Sequence, residues 1–226
     1  MYGRLAIFYT PDDPRLSAFG ATWLGWDSAA GHSVPHPDVF GIAVADFTKT
    51  PRKYGFHATL KAPFRLSDGM RIADVIQLAE DFAKQQTPVS IEDLALDFCH
   101  GFLALRPRAR NADLNALAAA VVREFEPVRA PLSESEIARR RKARLSPRQD
   151  AQMLKWGYPY VFEDFQFHMT LSGRLEKAVA DQAMPVLQDL ITPVLPTPLL
   201  MRSITIMGED DAGMFHQLHR SQLSGT

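Results

Sequence analysis

The chain has 226 residues, 46% apolar and 23% charged, which excludes a disordered or collagen-like polypeptide. Its 25 basic and 26 acidic residues leave a formal charge of −1, so there is no global positive field to hold long nucleic acid. A single cysteine, Cys99, permits no internal disulfide and no cysteine-based zinc site, and fits a reducing compartment.

A chain of this length suits one large domain or two fused lobes, and it can bury a core without disulfides or metals. No segment approaches the roughly 18 unbroken apolar residues of a membrane span. Met1 to Tyr9 holds Arg4 within a short alternating apolar run and carries no secretory signature, so a cytoplasmic location without a membrane partner is expected.

Leu5 to Tyr9 reads as a strand stopped by Thr10-Pro11-Asp12-Asp13-Pro14. Leu16, Phe19, Trp23 and Leu24 then recur at helical spacing, with Pro14 in the first turn. The Pro-rich stretch from His32 to Asp38 is a loop. Tyr54 to Leu66 reads as a strand with Phe56, Ala58 and Leu60 on one face and His57, Thr59 and Lys61 on the other. Ile72, Val75, Ile76 and Ala79 mark a helix. Val89 to Phe98 and Phe102 to Leu105 form a hairpin through His100-Gly101. Leu114, Leu117, Ala118, Val121 and Phe125 mark a further helix, with Asn111 or Asp113 as its cap.

Ser133 to Pro147 differs in composition. Acidic residues at its start and Arg139, Arg140, Arg141, Lys142 and Arg144 toward its end suit a helix dipole. It reads as a basic helical insertion, about 133–157, ahead of Tyr158-Pro159-Tyr160. Phe165 to Leu171 is again strand-like, with Phe167, Met169 and Leu171 on one face and His168, Thr170 and Ser172 on the other. Val179, Ala183, Val186, Leu187 and Leu190 indicate a helix that Pro185 is expected to kink or end. Leu199 to Met207 and Met214 to Leu218 give a second hairpin.

This order contains a duplication. His57-Ala-Thr59-Leu60 and His168-Met-Thr170-Leu171 are each followed by a helix and a hairpin. The expectation is an α+β, pseudo-twofold protein of two β-α-β-β lobes within one domain, 1–226. Lobe one covers about 40–110; lobe two covers about 160–226 together with the N-terminal strand.

Residues i and i+2 of a strand project to the same side, so each motif presents an imidazole and a hydroxyl together. If the two strands face each other, two imidazoles and two hydroxyls converge, a set suited to displacement at phosphorus. One histidine takes a proton from the nucleophile, the other gives one to the leaving oxygen, and the hydroxyls hold non-bridging oxygens. An unperturbed pKa of about 6.5 lets both forms of imidazole exist near neutrality. The competing reading is a pair of half-buried strand histidines capped by threonines.

The paired His-apolar-Thr-apolar motifs resemble those of the 2H phosphoesterase superfamily. The longer strings Tyr54-Gly-Phe-His57-Ala-Thr59-Leu60-Lys-Ala-Pro-Phe64 and Phe165-Gln-Phe-His168-Met-Thr170-Leu171-Ser-Gly173 resemble a bacterial branch encoded with phosphonate-degradation genes. The resemblance implies a bilobal, LigT-like fold with two antiparallel sheets forming a central cleft. It also implies metal-independent hydrolysis of a cyclic phosphodiester by His57, Thr59, His168 and Thr170. The insertion departs from the smallest members, so their substrates do not transfer.

Lys61 shares the expected face of His57 and adds positive charge near a phosphate, or else is a solvated strand-end lysine. Arg139 and Arg141 are candidates to close over an anionic ligand, with Tyr158 and Tyr160 stacking on a base or sugar. The same run also reads as a solvated helix face. Arg65 and Arg174 are weaker candidates because strand pairing ends near them. Pro35 keeps His32 and His36 from a shared helical face, and a spacing of three sends His216 and His219 to opposite sides of a strand. Trp23 and Trp26 read as core, and Cys99 as a small buried hydrophobe. No metal or cofactor is expected.

The leading expectation is a phosphodiesterase acting on a small cyclic phosphate, either a 2′,3′-cyclic nucleotide or a ribose cyclic phosphate. The acid and base roles are not divided between the histidines. Alternatives are a ligase-like enzyme acting on RNA ends and a sensor of a phosphorylated metabolite.

Overall fold

The computed structural model describes residues 2–39 and 41–225. Met1, Phe40 and Thr226, which bound the expected domain and lobes, lie outside the described residues. In chain order the elements are β1 (Arg4–Tyr9), α1 (Pro14–Leu24), β2 (Trp26–Asp27), β3 (His32–Ser33), α2 (Val44–Phe47) and a 3-10 turn (Pro51–Tyr54). Then come β4 (Ala58–Phe64), α3 (Ile72–Ala83), β5 (Val89–Ile91), β6 (Leu94–Cys99), β7 (Phe102–Pro107) and α4 (Ala112–Glu124). The remainder is α5 (Glu134–Arg141), α6 (Pro147–Trp156), a second 3-10 turn (Phe162–Asp164), β8 (Met169–Thr170), α7 (Lys177–Ile191), β9 (Leu199–Met201), β10 (Ser203–Glu209) and β11 (Phe215–Gln222).

Among the described residues the main sheet has seven strands in the order β11-β10-β1-β4-β8-β7-β6, antiparallel throughout. The class is α+β. The two expected sheets are the two ends of this one, joined at a seam where β4 meets β8 through the pair Ala58–Met169. Each motif strand lies at that seam.

The sequence lobes are interleaved in space. β4, from the first unit, lies beside β1 and the C-terminal hairpin β10–β11, whereas β8, from the second, lies beside the earlier hairpin β6–β7. The helix after each motif follows the same exchange. α3 packs on β10 and β11, and α7 packs on β6 and β7. The strands entering the two hairpins, β5 and β9, pair with each other where the crossovers meet. Each half-sheet is thus completed by a hairpin from the other sequence unit, which spatially separate lobes 40–110 and 160–226 would not give. One buried core runs through both halves, from Ile7 and Phe64 to Leu105 and Leu187.

The 133–157 segment is two capped helices rather than one. Ser133 accepts from Glu136 N and Ser146 accepts from Gln149 N, each closing a capping box. Pro185 lies within α7 without ending it. Strand pairing around His168 is shorter than Phe165–Leu171, and only Met169–Thr170 form strand.

β4 departs from simple alternation. Phe8 opposes Thr59, Ile7 opposes Lys61 and Leu5 opposes Phe64, so β4 gains a residue on β1 in each of two steps. Such bulges turn side chains off the expected face, and Pro63, which cannot donate to a ladder, sits within them. The consequence falls on Lys61.

Candidate active site

His57 immediately precedes β4 and His168 immediately precedes β8. His57 Nδ1 lies 2.9 Å from the Gly55 carbonyl oxygen, and His168 Nδ1 lies 2.8 Å from that of Gln166. A carbonyl only accepts, so both rings carry their proton on Nδ1 and leave Nε2 with a lone pair. Gly55 makes this possible for His57. Its φ of +72° is a conformation that L side chains rarely adopt, and a Cβ there would lie 2.7 Å from Ser28 Oγ.

The surroundings of the rings are duplicated too. Phe8, on the strand beside β4, stacks on His57 at 3.8 Å between ring centres; Phe102, on the strand beside β8, lies 5.8 Å from His168. Thr59 Oγ1 is 3.2 Å from His57 Nε2. Leu171, following Thr170, is anchored by Trp23, whose indole N–H donates to its carbonyl at 2.7 Å.

His57, Thr59, His168 and Thr170 all line one cleft of about 460 Å³. Burial lowers the His57 pKa to about 4, the Gly55 carbonyl opposes the shift, and the charge of His168 adds to the lowering. Burial also lowers that of His168, with Arg106 and His100 acting in the same direction. Both imidazoles are therefore neutral at neutral pH. A second compartment of about 530 Å³ shares Thr59, Phe102, Tyr158 and His168 with the first, so the two adjoin at His168.

Of the other sequence candidates, Arg139 and Tyr158 line the histidine cleft and Tyr160 lines the second compartment. Arg141 does not line either; it is exposed and pairs with Asp150 at 2.8 Å, tying α5 to α6. Two residues apart on a helix is a rotation of about 200°, so Arg139 and Arg141 cannot serve one surface. Lys61 is corrected as well. It is 3% exposed, and its ammonium donates to the Val122 carbonyl at 3.0 Å and to Glu126 at 2.9 Å, on the α4 side of β4. Cys99 is half-buried and lines the second compartment rather than the core.

Arg174, a weaker candidate in the sequence because pairing ends before it, lines the cleft, as do Arg4 and Arg140. Arg4 had a visible signal, a guanidinium interrupting an apolar strand. Arg140 had none that separated it from its four basic neighbours. Of the other histidines, His100 lines the second compartment, whereas His36 is engaged by Arg52 and the Trp23 carbonyl, His216 by Asp210 and His219 by Glu80.

The fold and cleft define a class: an α+β protein whose duplicated His-x-Thr segments meet across one arginine-lined groove. The chain belongs to the family described as "Protein of unknown function (DUF1045)", whose model matches residues 59–216. It is 36% identical over 231 residues to the ribose 1,5-bisphosphate phosphokinase PhnN of Janthinobacterium sp. (strain Marseille), covering 98% of this chain and 51% of that protein. It is 33% identical over 177 residues to the protein of the same name from Laribacter hongkongensis (strain HLHK9), covering 77% of this chain and 41% of that one. The chain therefore spans about half the length of the curated relatives it matches. Similar solved structures include TT0787 of Thermus thermophilus, with 14% identity, 98% of each chain and a TM-score of 0.46. E. coli LigT complexed with 3′-AMP is another, with 14% identity, 99% of each chain and a TM-score of 0.45.

Proposed function

We propose that the chain is a two-histidine phosphodiesterase of the 2H type that opens a small cyclic phosphodiester, a ribose cyclic phosphate by preference. The observation that carries this reading is the pair of Nδ1–H to carbonyl bonds, which leaves two basic Nε2 atoms to one cleft. Water attacks phosphorus in line with the ring P–O bond. One histidine takes the water proton as the new P–O bond forms. The other protonates the leaving oxygen as the ring bond breaks, giving a phosphomonoester and a free hydroxyl. Burial lowers both pKa values and favours the neutral base form, and the approaching anion raises the proton affinity of the imidazole that serves as the acid. Thr59 and Thr170 hold the non-bridging oxygens, which gain charge in the transition state.

Two compartments of about 460 and 530 Å³ match the usual volume of small-molecule sites. The ribose assignment draws on the curated relatives, whose name describes action on ribose 1,5-bisphosphate. Their kinase chemistry is not carried over. The chain has no Gly-x4-Gly-Lys-Ser/Thr phosphate loop, and it matches only about half of each relative.

The test is a phosphorus NMR panel of cyclic phosphodiesters, 2′,3′-cyclic nucleotides and ribose cyclic phosphates included, with chelator present and absent. Hydrolysis of at least one member is expected. His57→Ala and His168→Ala should each remove most of it while circular dichroism stays unchanged. Wild-type turnover by either variant rejects the two-histidine mechanism.

A further inference from the structure

We propose that Arg139 and Arg140 of α5, with Arg4 of β1, form a second anion subsite that receives a phosphomonoester carried by the substrate away from the reacting phosphorus. The proposal rests on the cyclic-phosphodiesterase reading and names its substrate class.

The argument begins with charge. Arg4, Arg139, Arg140 and Arg174 line the histidine cleft, and no carboxylate lines it among the described residues. Arg4 is offset by Glu209, which its Nε and Nη2 contact at 2.5 and 2.6 Å. Elsewhere around α5, Arg141 pairs with Asp150, Arg65 with Glu136 and Arg148 with Asp164, while Lys142 and Arg144, also without an ion-pair partner among the described residues, line neither compartment. Arg139, Arg140 and Arg174 have no ion-pair partner among the described residues. A cyclic diester carries one negative charge and can satisfy one of them. A phosphomonoester adds about −1.5 to −2 at neutral pH, which matches the two that remain on α5.

Arg140 has the clearest deficit. Its Nε is buried and makes no hydrogen bond, while its guanidinium lies 5.2 Å from the Tyr158 ring centre. Stacking on an aromatic face holds a guanidinium flat and leaves its N–H edge for planar or tetrahedral oxyanions. Burial is the largest influence on Arg140 and acts against its positive form, as do the like charges of Arg139 and Arg4; Tyr158 and Glu136 act the other way, but Glu136 is itself engaged with Arg65. An arginine held under that penalty without a directly paired carboxylate is arranged for an incoming anion. Both arginines come from the insertion, so the insertion supplies selectivity beside a reaction centre built from the duplicated strands.

The experiment compares a ribose cyclic phosphodiester with and without a phosphomonoester on its 5-hydroxyl. In the wild type, kcat/KM is expected to favour the phosphorylated substrate by roughly 100-fold, the scale of one charge-assisted arginine–phosphate contact. Arg140→Gln and Arg139→Gln should each collapse that preference toward unity, and Arg141→Gln should preserve it. Equal hydrolysis of both substrates by the wild type, or equal losses on both in Arg140→Gln, overturns the subsite and leaves the diesterase standing. If neither substrate is hydrolysed, the ribose form of the diesterase reading falls. Calorimetric titration with ribose 5-phosphate then decides the subsite alone: binding by the wild type and not by Arg140→Gln supports it, and equal or absent binding overturns it.

Discussion

Replacing Lys61 by methionine separates two roles that the sequence leaves open. Methionine keeps most of the apolar stem and removes the ammonium, which is 3% exposed and satisfies the Val122 carbonyl and Glu126. An unsatisfied buried carbonyl costs about 1–3 kcal/mol. Glu126 keeps Arg129 at 2.5 Å, so it is not stranded as a buried charge, and the larger penalty of a broken buried pair does not apply. Burial lowers the lysine pKa in spite of Glu126, so removing the charge returns part of a desolvation cost. A net loss of about 2 kcal/mol follows, or roughly 4–8 °C in a chain of this size. Thermal melting by circular dichroism measures it, beside hydrolysis of whichever cyclic phosphate the wild type accepts. Lys61→Met should melt earlier and keep kcat/KM within about threefold below its melting range. An unchanged melting temperature with a tenfold or greater fall in kcat/KM would refute the structural assignment and return Lys61 to the phosphate.

Imidazole proton NMR should show His57 titrating near pH 4 in the free protein, and saturating inorganic phosphate should move both cleft histidines upward; titration at 6.5 with no response to phosphate would contradict the site. A depressed native pKa means that the unfolded chain takes the His57 proton first as pH falls. Stability is therefore full above about 6.5 and declines toward pH 4, by at most about 3 kcal/mol from this residue, and His57→Gln should flatten that stretch of a urea-denaturation series. Gly20→Ala places a Cβ 2.0 Å from the Phe56 ring, so α1 must shift against the segment that carries His57. A destabilisation of about 1–3 kcal/mol in denaturant midpoint is expected. Thr59→Val should lower kcat about 10- to 100-fold with little change in melting temperature, as loss of a hydroxyl serving a developing charge predicts.

That His57, Thr59, His168 and Thr170 share one cleft was legible because the signal is local. His-x-Thr at period two is a statement about one strand, and two copies at matching places in a repeat make the strands equivalent. What pairs with those strands was not legible. Period-two patterning shows that β6–β7 and β10–β11 are hairpins, but both are apolar enough to complete either half-sheet, and chain order favours the wrong assignment. Lys61 was misplaced for a related reason. A bulge shifts face by one residue, and a bulge is a property of two strands in register. The α5 arginines divide by helical rotation, so Arg139 and Arg141 look alike in sequence and part company only once the helix axis is set against the cleft.

The exchange of hairpins bears on how the site is assembled. If each sequence unit closed its own sheet, the His57 and His168 strands would be edges of separate bodies, and their separation would depend on a linker. Here β4 lies between β1 and β8, and β8 between β4 and β7, so the seam that joins the halves is the place where both histidines stand. The pair β5–β9 binds the two crossovers together. A local opening that parts the imidazoles must therefore break main-chain pairing at the seam, and the core that runs through both half-sheets opposes it. An in-line reaction needs base, phosphorus and acid held to a fraction of an ångström. The interleaved topology provides that rigidity from the chain's own sheet, with α5, which carries the proposed subsite arginines, outside it.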